Sequence, residues 1–169
     1  IVAAAVILDR KKTLIEGLND SKKLTAKTRN SLFVKIVRSA ISWSVARVSS
    51  RVIDRISLGK SNLLVMKKTI LHLKSKPDVV ITDALSITIR KYDTDIIPII
   101  NGDELSASIA AASVIAKVIR DRLMLKYSRL YPEYDFAANK GYGTKKHMLA
   151  LQKHGPCRIH RVSFRGVLN

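Results

Sequence analysis

The chain opens on an unbroken apolar run, Ile1-Val2-Ala3-Ala4-Ala5-Val6-Ile7-Leu8, closed by the charged stretch Asp9-Arg10-Lys11-Lys12. A short run rich in β-branched residues and closed by a turn signal predicts a buried strand. Thr25 is a suitable helix N-cap. Behind it Leu32, Phe33, Ile36, Val37 and Ala40 recur at helical spacing. Trp43, Val45 and Val48 mark a second strand. Ser50 is placed to cap a short helix, and Leu63, Leu64, Met66, Lys67, Ile70 and Leu71 predict a longer amphipathic one.

Pro77-Asp78-Val79-Val80-Ile81-Thr82-Asp83 is a strand that ends on an acid. Ile96-Ile97-Pro98-Ile99-Ile100 is another. Pro98 lacks an N–H, which favours an edge or irregular position. The longest helical pattern runs from Ser106 to Tyr127, with Ile109, Ala112, Ala116, Ile119 and Leu123 expected on its packed face. Asn139 to Thr144 is a loop, and Thr144 opens a helix that ends near His154 with Gly155 behind it. Strands alternate with helices, so the class is α/β, and residues 1–169 form a single domain.

Charge changes this picture more than composition does. The net charge is +18 and the isoelectric point near 10.3. Such a domain attracts polyanions, so nucleic acid is the first partner to consider. A lysine-rich proteome would produce the same excess. No apolar run approaches the length that spans a bilayer, so no membrane partner is expected. The single cysteine, Cys157, can form no intrachain disulfide, and a reducing, cytoplasmic setting fits. The chain starts without Met and without a basic leader. Its first strand reads as entered midway, so the domain is expected to be incomplete at its N-terminus.

Asp83 and Asp103 each sit at the C-terminal end of a strand-like run, where ligands gather in α/β folds. Two acids brought together repel, and a hard divalent cation such as Mg²⁺ or Mn²⁺ resolves the repulsion. Beside a basic surface that chemistry suggests phosphodiester hydrolysis. For either acid alone, a strand-end or capping role is the plainer reading. Asn19-Asp20-Ser21-Lys22-Lys23-Leu24 precedes a helix start, and could clamp a phosphate or simply be a solvated, capped terminus. Lys140-Gly141-Tyr142-Gly143-Thr144 offers two glycines and one aromatic. Tyr142 could stack on a sugar or base, or cover the core. His72, His147, His154 and His160 show no ligand spacing, and His147 and His154 read as helix-surface residues.

Taken together, these segments resemble ribonuclease HII. The matching pieces are Gly17-Leu18-Asn19-Asp20-Ser21-Lys22-Lys23-Leu24, then Gly102-Asp103 with Ser108-Ile109-Ala110-Ala111-Ala112-Ser113, then Ala116-Lys117-Val118 and Arg120-Asp121. Tyr131-Pro132, Lys140 to Thr144 with His147, and His160-Arg161 with Ser163-Phe164 follow in the family's order. The resemblance implies a ribonuclease H-like mixed sheet flanked by helices, with a helical C-terminal part and the first central strand missing. It implies cleavage of RNA in RNA–DNA hybrids, and 5′ of a single ribonucleotide in duplex DNA, with Mn²⁺ or Mg²⁺ as cofactor. A monomer serving DNA replication and repair follows from the same likeness. Asp83 and Asp103 match the family's third and fourth acids, which serve catalysis and metal binding. Tyr142 matches the residue that senses the 2′-hydroxyl, and Asn19, Ser21 and Lys22 match a substrate-backbone contact region. Lys140 is expected to position that backbone as well.

Several positions depart from the family. Its opening Asp-Glu-x-Gly-Arg-Gly, which carries the first two acids, has no counterpart here. Ala84-Leu85 stands where Gly-Asn is usual, Asn101 where Lys is usual, Asn139 where His is usual, and Ser57-Leu58-Gly59 where Asn-Ile-Leu is usual. Three expectations follow: a hydrolase that is poorly stable without the missing central strand and nearly inactive without its two acids, a decayed relative that binds hybrid duplexes without cutting them, or a generic basic nucleic-acid-binding or ribosome-associated protein, which the ordered acid and tyrosine motifs argue against.

Overall fold

The computed structural model describes residues 1–9, 15–89 and 94–168. Arg10, Lys11 and Lys12, in the charged stretch expected after the first strand, lie outside the described residues.

The first apolar run is the strand β1 (Val2–Ile7). It pairs antiparallel with β2 (Ser42–Arg47), Ala4 opposite Val45 and Val6 opposite Trp43. Along β2 the buried positions are Ser42, Ser44 and Ala46. These small side chains let a helix approach closely, and their hydroxyls are satisfied by it. Ser44 Oγ donates to the carbonyl of Thr69, and Ser42 Oγ accepts the Lys74 N–H at 3.0 Å.

Helix α1 (Ala26–Ser39) begins where Thr25 predicts, the Thr25 hydroxyl accepting the Thr28 N–H at 3.1 Å. The next helix, α2 (Ser50–Ile56), is capped one residue earlier than expected. Ser49 accepts the Val52 N–H at 3.4 Å, and Ser50 is already helical. Its successor α3 (Leu58–Leu71) buries Val65 and Ile70.

Strands β3 (Val79–Asp83) and β4 (Asp95–Ile99) pair in parallel, with Thr82 opposite Pro98. Among the described residues β4 is bonded on one side only, which accommodates Pro98 as its sequence predicts. No ladder joins the two pairs, so β1 and β3 each also have a partner on one side only. They nevertheless share packing: Ala5 of β1 lies against the cluster of Ile70, Val80, Ile87 and Ile89.

The short helix α4 (Gly102–Leu105) leads into α5 (Ala107–Leu130), capped by Ser106, whose hydroxyl accepts the Ile109 N–H at 3.5 Å. Its 24 residues span about 36 Å, and the helix is the spine of the fold. Ile109 is buried as expected, and the rest of the expected face is displaced. Ala111, Val114, Ile115 and Val118 carry the deepest burial, against Leu32 and Ile36 of α1 and Ala4 and Val6 of β1. Ala112, Ala116, Ile119 and Leu123 flank that face and are half-buried. The cause is that α5 is covered on several sides, by β1, α1, α4 and the following short helix, so a single-stripe reading misplaces the centre.

After a 3-10 turn (Pro132–Tyr134) come α6 (Phe136–Asn139) and α7 (Lys145–His154). Thr144 caps α7 as expected, accepting the His147 N–H at 3.3 Å. Gly155 follows with φ 70°.

Candidate active site

Asp83 is the last residue of β3. Asp103 is not at a strand end but in the first turn of α4, four residues past β4. The two are joined through backbone: the Gly102 N–H donates to Oδ1 of Asp83 at 3.1 Å. Gly102 is buried, and a Cβ there would stand 2.5 Å from Ile109 Cδ1. Glycine allows this approach without any shift of Ile109.

Both turns use left-handed backbone, Ala84 at φ 57° and Asn101 at φ 55°. Asparagine tolerates this region, and alanine is strained there. The Ala84 N–H donates to Ile99 O at 2.9 Å, holding the two strand ends together.

A third acid stands nearby. Burial, then the charges of Asp20 and Asp83, push the Asp103 carboxyl above the ordinary aspartate range, while Lys22 pulls it down. The loop before α1 therefore lies near Asp103. Asp20 was not among the residues singled out from sequence. Its signal, a sequence neighbour of Lys22 matched to a contact region, points to phosphate rather than to the acids. Lys23 of the same loop pairs with Glu104 of α4, Nζ to Oε1 at 2.5 Å.

The loop is held from behind. Arg29 of α1 donates to the carbonyl of Ser21 at 2.8 Å and to that of Leu24. Its guanidinium lies 3.7 Å from Asp121, which also pairs with Lys117 at 2.9 Å. Of the expected contact residues, Asn19 and Lys22 are exposed, whereas Ser21 is 6% exposed. Asn19 Oδ1 accepts the Asp20 N–H at 2.7 Å.

Lys140 and Tyr142 belong to a second cluster, against α5 at Arg120. The Tyr142 ring is 61% exposed, so it does not cover the core. Lys140 turns its Nζ to the Ala137 carbonyl at 2.5 Å. The expectation for His147 is corrected: it is 4% exposed, packed among Tyr134, Phe136 and His160. His154 is exposed as expected. Between the acids and Tyr142 lies α5, from Ile109 under Gly102 to Arg120 beside the ring.

The ribonuclease HII family model matches residues 1–167. The chain belongs to the ribonuclease HII family. A ribonuclease HII of Caldicellulosiruptor bescii is 49% identical over 164 residues, covering 97% of this chain and 78% of the relative. The chain spans less than two thirds of several other relatives of that name, 64% of the one from Lactobacillus johnsonii, for example. Among solved structures, the ribonuclease H2 of Pyrococcus horikoshii OT3 superimposes with TM-score 0.77 at 20% identity, over 99% of this chain and 95% of that one. A Bst-RNase HIII solved in complex with Mn²⁺ gives 0.71 at 17% identity, over 98% of this chain and 62% of that one. At these identities they establish the ribonuclease H-like fold.

Among the described residues no three His, Cys, Asp or Glu side chains are grouped closely enough to hold a metal. No helix among them is long and apolar enough to cross a membrane.

Proposed function

We propose that this ribonuclease HII-family chain is the greater part of an endonuclease that cleaves RNA in RNA–DNA hybrids and 5′ of single ribonucleotides in duplex DNA. The observation that carries the reading is the pair Asp83 and Asp103, brought together by the Gly102–Asp83 bond with Asp103 held against its preferred ionisation. A donor set of hard carboxylate oxygens under mutual repulsion fits a divalent cation, Mn²⁺ or Mg²⁺. Asp83 and Asp103 would hold it, and the relative solved with Mn²⁺ supports that choice. When bound, such an ion activates water and stabilises the departing oxygen of a phosphodiester.

The residues of this chain do the rest. Lys22 and Lys140 position the nucleic-acid backbone and make binding salt-dependent. Asn19 stands exposed beside Lys22 to contact the same backbone, and buried Ser21 shapes the loop that presents both. Tyr142 presents its ring to the sugar and separates ribose from deoxyribose through the 2′-hydroxyl. The family's first two acids belong on a further strand. The one-sided pairing of β1 and β3 supports a place for that strand between them. A monomer acting in the cytoplasm, in replication and repair, completes the reading.

The alternative is a decayed protein that binds hybrid duplexes without cutting them. Ala84, Asn101 and Asn139 motivated it. Asn101 nonetheless suits the left-handed backbone of its turn, and strained Ala84 still keeps its N–H bonded to Ile99 O, so both turns hold their acids in place. The test is incubation with a duplex holding one ribonucleotide, with Mn²⁺ and with chelator, for this chain and for one extended by the family's Asp-Glu segment. Metal-dependent nicking by the extended protein, lost in Asp103→Asn, is the expected result. Binding without nicking would establish decay. Binding indifferent to the ribonucleotide would sink both readings.

A further inference from the structure

The Tyr142 ring is exposed, yet its backbone is fixed at several points. Asn139, the last residue of α6, uses both ends of its side-chain amide. Nδ2 donates to the Tyr134 carbonyl at 2.7 Å, and Oδ1 accepts the Gly141 N–H at 2.7 Å. Its main-chain carbonyl accepts the Tyr142 N–H at 2.9 Å. Asn139 is buried, and its bond to the Tyr134 carbonyl is made away from competing water. The chain then reverses through two consecutive left-handed residues, Lys140 at φ 52° and Gly141 at φ 79°.

From the other side, Arg120 of α5 touches the loop twice. Nη2 donates to the Lys140 carbonyl at 2.9 Å, and the guanidinium carbon lies 5.0 Å from the centre of the Tyr142 ring. A planar cation at that distance attracts the ring face. Arg120 is itself anchored on the long helix. An apolar residue at either position would leave backbone groups of the loop without these side-chain bonds.

We propose that Arg120 and Asn139 are positioning residues that preset Tyr142 for recognition of ribose. Asn139 fixes the loop backbone, and Arg120 provides a platform that selects one orientation of the ring. Presetting removes part of the entropy that a free aromatic would lose on binding. The inference rests on the reading of Tyr142 as the ribose-facing residue.

The test measures affinity for a DNA duplex with one ribonucleotide and for the same all-deoxy duplex, with calcium as the sole divalent ion. The quantity read is the ratio of the two affinities. Arg120→Lys keeps the charge but loses the planar fork. It and Asn139→Ala are each expected to lower the ratio about 2- to 5-fold, the range of an exposed cation–π contact. In a Tyr142→Ala background the same substitutions should leave the ratio where Tyr142→Ala alone puts it, since residues acting through one group are not additive. Equal effects in both backgrounds, or a ratio that neither substitution moves, would overturn the proposal. If Asn139→Ala unfolds the protein, Arg120→Lys alone decides. A parent protein with no preference for the ribonucleotide would refute the Tyr142 reading itself, and this proposal with it. A parent that discriminates beside insensitive variants refutes only the positioning.

Discussion

Gly102 donates its N–H to Oδ1 of Asp83 at 3.1 Å, so the backbone that carries Asp103 also orients the neighbouring acid. The approach is possible because Gly102 has no Cβ. One added there would meet Ile109 Cδ1 at 2.5 Å and lie 3.6 Å from the Asp83 Cα. Gly102→Ala is therefore expected to make the Cδ1 end of Ile109 shift, costing about 1 kcal/mol, the low end of overpacking. It should also part the two acids. A melting curve with and without Mn²⁺ checks both effects: lower stability, and a smaller gain on adding metal.

Asp103 supports a sharper separation of charge and stability. Burial and the charges of Asp20 and Asp83 raise its carboxyl in the folded protein, so the ionised form is disfavoured relative to the unfolded chain. The penalty is present above the raised value and is relieved as pH falls through it. Asp103→Asn should accordingly melt higher than the parent at neutral pH without metal. With Mn²⁺ the order should reverse. A ligand at one hundred times its dissociation constant adds about 2.7 kcal/mol to the parent, and the variant should gain less. A variant that is less stable without metal would show that Asp103 serves packing instead.

Ala84 follows Asp83 with φ 57°, where the family usually has glycine. The left-handed region costs a residue with a Cβ about 1–2 kcal/mol. Ala84→Gly removes that cost while keeping the N–H that bonds Ile99 O. The expected gain is about 1 kcal/mol, or roughly 2–4 °C in Tm for a domain of this size. Differential scanning calorimetry measures it directly, and no gain would mean that the greater backbone entropy of unfolded glycine offsets the relieved strain.

Much of this was legible along the chain because the signals were local. Thr25, Ser106 and Thr144 are caps whose partners lie three residues away, and each caps as read or bounds the helix within a residue. Asp83 ends its strand as its apolar run implies. The misplaced features depend on partners far off in sequence. Asp20 comes near Asp103 in a loop that Arg29 ties to α1 and Lys23 ties to α4. The buried face of α5 is set by elements on several sides, which no single periodicity encodes. His147 reads as surface from its polar neighbours on α7, yet it faces the 3-10 turn and the C-terminal tail.

That histidine has a partner, and the pair gives the fold a titratable element. The rings of His147 and His160 stack with centres 5.3 Å apart, enclosed by Tyr134 and Phe136. His160 Nδ1 accepts the Cys157 N–H at 2.9 Å. Burial first and the His147 ring second hold His160 below its ordinary value of 6.5. A histidine depressed in the folded state takes its proton more readily when unfolded. Its contribution is thus intact above 6.5 and is lost as pH falls from there toward the lower folded value. The parent should melt lower at about pH 5.5 than at about pH 7.5, the interval containing the ordinary histidine value. His160→Asn keeps an acceptor for the Cys157 N–H but cannot titrate. It should be less stable at neutral pH, because the stacking is lost, and should lose less stability on acidification. A slope unchanged by the substitution would show that His160 is not the titrating group, since Asp54 and Asp135, both held below 3.8, lose their contribution only below that interval.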